Sequence, residues 1–214
     1  DSLEQVIALG GLSESGKSSI GEFLSQNHSF QRLKIKYFME QADTKYRLSD
    51  PDFDIHSLSS DMQAVLFLEE FVRYATAHHY QDRFSLESLH GFEFTKCLKQ
   101  MLGDKMDIWY VDCPFKKRVR RNSAEAQITD GESSAKTKEK DSMKTARGAR
   151  KIKQIAEVVD NSRDWLFTQQ QINNSLIRER YEIDRSYALP EPHQEVMDQL
   201  LSKVASFQTD AIKL

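Results

Sequence analysis

Gly11-Leu12-Ser13-Glu14-Ser15-Gly16-Lys17-Ser18 fits the pattern GxxxxGK[ST] at every position, and each fixed position has a chemical reason. Glycines let the backbone curl so that successive N–H groups point inward at phosphate oxygens. A helix opening near Gly16 adds free N–H groups and a positive dipole end to the same anion. Lys17 brings a cation to the β- and γ-phosphates, and the Ser18 hydroxyl is set to ligate Mg²⁺. With Ser13, Glu14, Ser15 and Ser19 the stretch forms a complete expected cradle for ATP and Mg²⁺. A chance match in a Gly/Ser-rich loop is the plain alternative. Such a loop would lack the required context of a strand before and a helix after.

Both elements are expected here. Val6-Ile7-Ala8-Leu9 is a short apolar run ending in Gly10-Gly11, as a buried strand entering a turn would be. Ile20, Phe23 and Leu24 share one face of a helix from Lys17 to Gln26. Beyond it, Leu33, Ile35, Tyr37 and Met39 alternate, which predicts a second strand over Phe30 to Met39. Asp43 to Ser60 is polar and turn-rich. Asp61 to Tyr80 reads as a long helix with an apolar stripe of Val65, Leu68, Phe71, Val72 and Ala75. Arg83 to Leu89 alternates as a strand does, Phe92 to Leu102 is helical, and Asp107 to Asp112 makes a fourth strand stopped by Pro114. Next come a basic helix, a polar segment from Ile128 to Thr137 expected to be mobile, and a second basic helix reaching Ala156. Val158-Val159 forms a fifth short strand, followed by helices over Trp165 to Arg180 and Pro192 to Phe207. Strands alternating with helices predict a three-layer α/β fold with a five-stranded, mostly parallel sheet. All 214 residues are expected to form a single domain.

The run Ile108-Trp109-Tyr110-Val111-Asp112-Cys113-Pro114, followed by Arg118 and Arg121, resembles the second half of dephospho-CoA kinases and related nucleotide kinases. So do the lysine- and arginine-rich stretch that follows and Ile155-Ala156-Glu157-Val158-Val159-Asp160-Asn161-Ser162. The resemblance covers the phosphate-binding loop and roughly residues 107–172. It implies a P-loop kinase fold in which residues 116–153 are a LID closing basic side chains over the phosphates. It also implies that the loop at Asn161 packs near the adenine. The family's acceptor-side motif is not evident around Phe38 to Leu48, so the acceptor need not be dephospho-CoA.

The LID candidates are Arg118, Arg120, Arg121, Lys138, Lys144, Arg147 and Lys151. Their task would be to neutralise the migrating phosphoryl group and exclude water. The alternative is a solvated helix face, the ordinary fate of a charge run. Lys144 and Arg147 are three apart and would share a helical face. Glu87 falls near the end of the third strand, where ligands of open parallel sheets bind. It would hold Mg²⁺ through water or accept the acceptor's proton, unless it is only a surface glutamate. Asp43 has the analogous place after strand two. Asp112 reads as a turn cap, and His78-His79 as a helix end rather than a metal site. Phe67, Phe71, Tyr74 and Tyr80 are core or acceptor-pocket wall.

The formal charge of −3 conceals an asymmetry. Residues 116–153 carry thirteen Lys/Arg against five Asp/Glu, while the remainder is net negative. A positive segment on an acidic body suits one localised anion rather than a nucleic acid. No apolar run is long enough to span a membrane, and no signal-peptide pattern is present. Cys97 and Cys113 lack metal-ligand or disulfide spacing, which fits a reducing cytoplasm. The chain opens on Asp1 rather than methionine, leaving other domains of a longer polypeptide open as partners. An [NT]KxD guanine-reading motif is missing, since Thr137-Lys138-Glu139-Lys140 lacks the Asp. These features predict an ATP-dependent phosphotransferase acting on a nucleoside, nucleotide, CoA precursor or other small molecule. A nucleotide-binding regulatory module with slow or absent hydrolysis is the rival reading.

Overall fold

Val6 to Leu9 have no exposed surface. Such a strand must lie at a sheet's centre, and β1 (Gln5–Gly10) does. In the computed structural model, which describes residues 3–89 and 91–185 and side chains as far as residue 177, five strands run in the order β2-β3-β1-β4-β5. The others are β2 (Gln31–Lys34), β3 (Arg83–Leu89), β4 (Met106–Asp112) and β5 (Glu157–Asp160), and every pairing is parallel. The helices are α1 (Lys17–His28), α2 (Ile35–Arg47), α3 (Ser60–Ala77), α4 (Phe92–Leu102), α5 (Phe115–Ala126), α6 (Asp130–Ala146) and α7 (Trp165–Arg185). This is the three-layer α/β P-loop fold, with a sheet that is wholly rather than mostly parallel.

By its internal contacts the chain divides into a unit of residues 1–169 and a second of residues 170–214. The first contains the sheet. What is described of the second is the remainder of α7. The helix expected over Pro192 to Phe207 lies outside the described residues. Among the described residues no helix is long and apolar enough to cross a membrane.

Several expectations need correction. The second strand stops at Lys34, and Ile35 begins a helix that buries Ile35, Phe38, Met39 and Ala42. Those positions are spaced for a helical face, and the alternation read as a strand was a by-product of the same residues. Asp43 therefore lies in α2 rather than a loop. On α3 the buried stripe is Ala64, Phe67, Phe71 and Ala75, whereas Val65 and Val72 are exposed. Phe67 and Phe71 set that phase, packing on Phe38 and Phe84 in the main core. β3 is buried on both faces rather than alternating, because it lies inside the sheet.

The largest revision concerns residues 128–137, expected to be mobile, of which 130–137 form the first two turns of α6. A capping box opens this helix, with Thr129 and Glu132 each bonding the other's backbone N–H. Its buried face is polar, made of Ser133, Thr137 and Asp141. Ser133 accepts from Asn122 Nδ2 at 2.9 Å and donates to the Val119 carbonyl at 2.7 Å, joining α6 to α5. The second basic helix ends at Ala146 rather than Ala156, and a 3-10 turn over Lys151–Gln154 precedes β5.

Candidate functional site

The loop between β1 and α1 takes the shape that its glycines permit. Gly11 and Gly16 sit at φ 133° and φ 102°, a region closed to most side chains. A Cβ on Gly16 would lie 2.1 Å from Asn161 Nδ2, and one on Gly11 2.6 Å from the Val111 carbonyl oxygen. The loop is thus folded tightly against the ends of β4 and β5. Asn161 Nδ2 donates to the Ser15 carbonyl at 2.8 Å, and Arg121 Nη1 reaches the same carbonyl at 3.2 Å. Asn161 Oδ1 accepts from Arg121 Nη2 at 3.2 Å and from Thr168 Oγ1 at 3.1 Å. Arg121 and Asn161, both expected at the site, meet on one flank of the loop.

Lys17 lies curled into the loop. Its Nζ donates to the carbonyls of Gly11 at 3.1 Å and Leu12 at 2.5 Å, and to Ser15 Oγ at 3.1 Å. Burial, followed by the Lys144 charge, lowers its pKa to about 7, against an upward pull from Glu14. Burial also lowers Lys144, partly opposed by Asp141 and Glu14.

On the sheet side the Ser18 hydroxyl donates to Glu87 Oε2 at 3.2 Å. Glu87 is only 2% exposed, so it is no surface glutamate. β3 runs only two residues beyond it, with Ser88 at φ 72° and the pairing with β1 shifting register there. Bulges of this kind commonly re-aim side chains beside sites. Arg32 on β2 closes on Glu87, with Nε against Oε1 and Nη2 3.3 Å from Oε2. That bond raises the Arg32 pKa further. Arg32 escaped the sequence reading because the pair spans 55 residues and depends on the β2–β3 register.

The α5–α6 side differs from the LID expected there. Arg118 Nη1 donates to the Ser13 carbonyl at 2.8 Å and to Asp141 Oδ2 at 2.7 Å, and Nε to the Cys113 carbonyl at 3.1 Å. Asp141 Oδ1 accepts the Ser13 N–H at 3.0 Å. This ion pair is nearly without solvent, so Arg118 ties the loop's tip to two helices. Asp141 was not foreseen, and only its place on the Ser133/Thr137 face marks it. Glu14 pairs with Lys140 at 3.4 Å. Arg147 is the C-cap of α6, exposed, with its carbonyl accepting from Phe92 N–H at 3.1 Å. It therefore does not prolong the helical face of Lys144.

The remaining candidates lie apart from this cluster of contacts. Asp43 caps the N–H of Ile55 at 3.0 Å and pairs with Arg47. Asp112 pairs with Lys153 at 2.6 Å rather than capping its turn. His78 Nδ1 contacts the Tyr74 carbonyl at 2.8 Å and its ring stacks on Tyr74. Phe67 and Phe71 belong to the core, while Tyr80 is exposed.

A cleft of about 830 Å³ adjoins the loop, with Ser15 to Ser19, Arg121 and Asn161 on one wall and Phe23 and Trp165 on another. Those two aromatic rings meet edge to face at 5.8 Å. The size is that of a site for a nucleotide-sized ligand. Among the described residues no three His, Cys, Asp or Glu cluster as a cage for a metal. Ser18 and Glu87 instead offer two hard oxygen donors beside the phosphate loop. Mg²⁺ favours such a set, taking one or two protein oxygens and completing its shell with water and substrate phosphates.

The sequence matches no family model, and no curated protein matches it. Solved structures do. TT1252 from Thermus thermophilus superposes with a TM-score of 0.52 at 16% identity, over 82% of this chain and 98% of that one. An uncharacterized protein from Eubacterium ventriosum gives 0.51 at 13% identity, over 79% and 97%. These two share the fold. A gluconokinase from Sinorhizobium meliloti superposes at 0.43 with 12% identity, over 82% and 98%.

Proposed function

We propose that the chain is an ATP-dependent phosphotransferase acting on a small-molecule acceptor. The carrying observation is the meeting of Lys17, Ser18 and the buried Glu87 at one loop, beside a cleft large enough for a nucleotide. In the reaction an acceptor oxygen bonds to Pγ, the bond from Pγ to the β–γ bridging oxygen breaks, ADP leaves, and the proton of an acceptor hydroxyl is released to solvent. Phosphoryl transfer asks a protein mainly for positioning and charge. Loop N–H groups and the α1 N-terminus would hold the phosphates. Lys17 would neutralise charge on the migrating group, and Lys144 on α6 is a further cation whose charge is felt at Lys17. Ser18 and Glu87 would hold Mg²⁺, which would supply positive charge against the phosphates. Asn161 and Arg121 would fix the flank of the loop that faces the cleft.

Incubation with ATP-Mg²⁺ and a metabolite pool, read by mass spectrometry, tests this reading. The expected result is an acceptor gaining one phosphoryl group with stoichiometric ADP. One observation favours the rival reading of a nucleotide-binding module. The helix expected to open and close is anchored to the loop through the buried Arg118–Asp141 pair, which suits a fixed sensor. Tight ATP binding with no transfer to any acceptor would support that reading.

A further inference from the structure

Glu87 has about four acceptor positions on its carboxylate, and three are taken. Arg32 Nε occupies one on Oε1, while Arg32 Nη2 at 3.3 Å and Ser18 Oγ at 3.2 Å share Oε2. An arginine fork fixes a carboxylate's plane as well as its position. The neighbouring helix is cut to admit this pair. Gly21 lies one turn beyond Ser18 on α1, and a Cβ there would lie 2.5 Å from Glu87 Oε1 and 3.4 Å from Arg32 Nε. The register brings Lys34 of β2 beside Glu87 and places Arg32 two residues earlier, on the same face of the strand.

We infer that Arg32 is a positioning residue, and that it commits Glu87 to the metal side of the site rather than to receiving a proton. The inference rests on the phosphotransferase reading for its chemistry, though not for its geometry. A hydroxyl that donates its hydrogen bond to Glu87 turns its lone pairs away from that carboxylate, free for a cation. Arg32 holds Oε2 where it can accept the Ser18 hydrogen bond. With three positions filled, the carboxylate has little room for the proton of an acceptor. Partners that orient metal ligands are commonly worth ten- to a hundredfold in metal affinity.

Calorimetric titration of ATP with and without Mg²⁺ tests the clamp independently of turnover. For Arg32→Gln, ATP affinity without Mg²⁺ should stay within about twofold, while the gain from Mg²⁺ should shrink by about tenfold or more. Arg32→Lys keeps the charge without the fork and should recover part of that gain. Gly21→Ala, which leaves both partners in place but crowds Oε1, should reproduce the loss. In assays, Arg32→Gln should raise the Mg²⁺ concentration for half-maximal rate, with kcat returning at saturating Mg²⁺. An undiminished Mg²⁺ gain in Arg32→Gln overturns the inference, as does an equal loss with and without the ion. If Arg32→Gln does not fold, Arg32→Lys and Gly21→Ala decide between the same outcomes. A parent whose Mg²⁺ gain disappears in these variants, yet which phosphorylates nothing, upholds the clamp and overturns the phosphotransferase reading. A parent that does not bind ATP overturns both.

Discussion

Two arginine–carboxylate pairs grip opposite sides of one phosphate loop, and they differ in what surrounds them. Arg118 and Asp141 are almost wholly buried, with side chains 4% and 10% exposed. Asp141 spends its second oxygen on a loop N–H, and Arg118 spends further donors on two carbonyls. Arg32 and Glu87 are unequal, at 35% and 2%, and their carboxylate turns toward the Ser18 hydroxyl. A pair closed on itself and on backbone serves as a latch. A pair that leaves an oxygen beside a candidate metal ligand serves the ligand. Charge run and spacing alone would have assigned the functional role to Arg118 and overlooked Arg32.

The contrast breaks most visibly at Asp141. Removing one member of a buried ion pair strands the other without solvent or partner, at about 3–5 kcal/mol. Asp141→Ala should therefore lower unfolding free energy by about that much in a urea titration. An Arg118→Met/Asp141→Leu double variant should recover most of it, because replacing both partners by packed apolar groups is often neutral. If Asp141→Ala costs under about 1 kcal/mol, as an exposed pair would, the latch assignment is wrong and the two pairs are alike.

Lys17→Ala sharpens the comparison from the centre of the loop. The lysine's contacts are carbonyls and one hydroxyl, so its removal sacrifices transition-state charge and little packing. The turnover rate should fall by on the order of a hundredfold or more, about 3 kcal/mol, with the unfolding midpoint changed far less than by Asp141→Ala. Equal damage to rate and stability would make Lys17 a third latch.

What could be read ahead of the structure follows from the range of the interactions. The phosphate loop, β1 and α4 are local patterns, and they formed as their residues implied. α2 was misread because Ile35 and Met39 satisfy period two through Leu33 and Tyr37, and period 3.6 through Phe38 and Ala42. Only the buried contacts with Phe67 and Phe71 arbitrate. α6 announced itself in the Thr129–Glu132 capping box, yet its inner face of Ser133, Thr137 and Asp141 carries no apolar rhythm. The bond from Asp141 to Ser13 crosses 128 residues. Neither clamp was legible in the sequence, since each depends on elements meeting across the fold.

The smallest expected effect is a fraction of a proton, and it isolates Lys17 from both clamps. Burial and the Lys144 charge depress the lysine to about pKa 7, so near neutral pH about half the molecules carry it uncharged. Its unfolded reference is 10.5. The unfolded chain therefore binds more protons between these values, and this group's contribution to stability rises with pH across that window. A bound phosphate favours the charged form and raises the pKa again. ATP binding should then take up about half a proton at pH 7 and close to one at pH 8, and this uptake should fade below pH 6. Affinity should weaken correspondingly as pH rises from 7 toward 9. Calorimetry at pH 8 in buffers of different ionisation enthalpy measures the uptake directly. Lys17→Met should abolish it, whereas Asp141→Ala and Arg32→Gln should retain most of it, because burial and the Lys144 charge outweigh the smaller and opposite pulls of Arg118 and Glu87. Binding at pH 8 with no proton uptake would mean that Lys17 is charged before ATP arrives, and that its buried contacts hold an ammonium throughout.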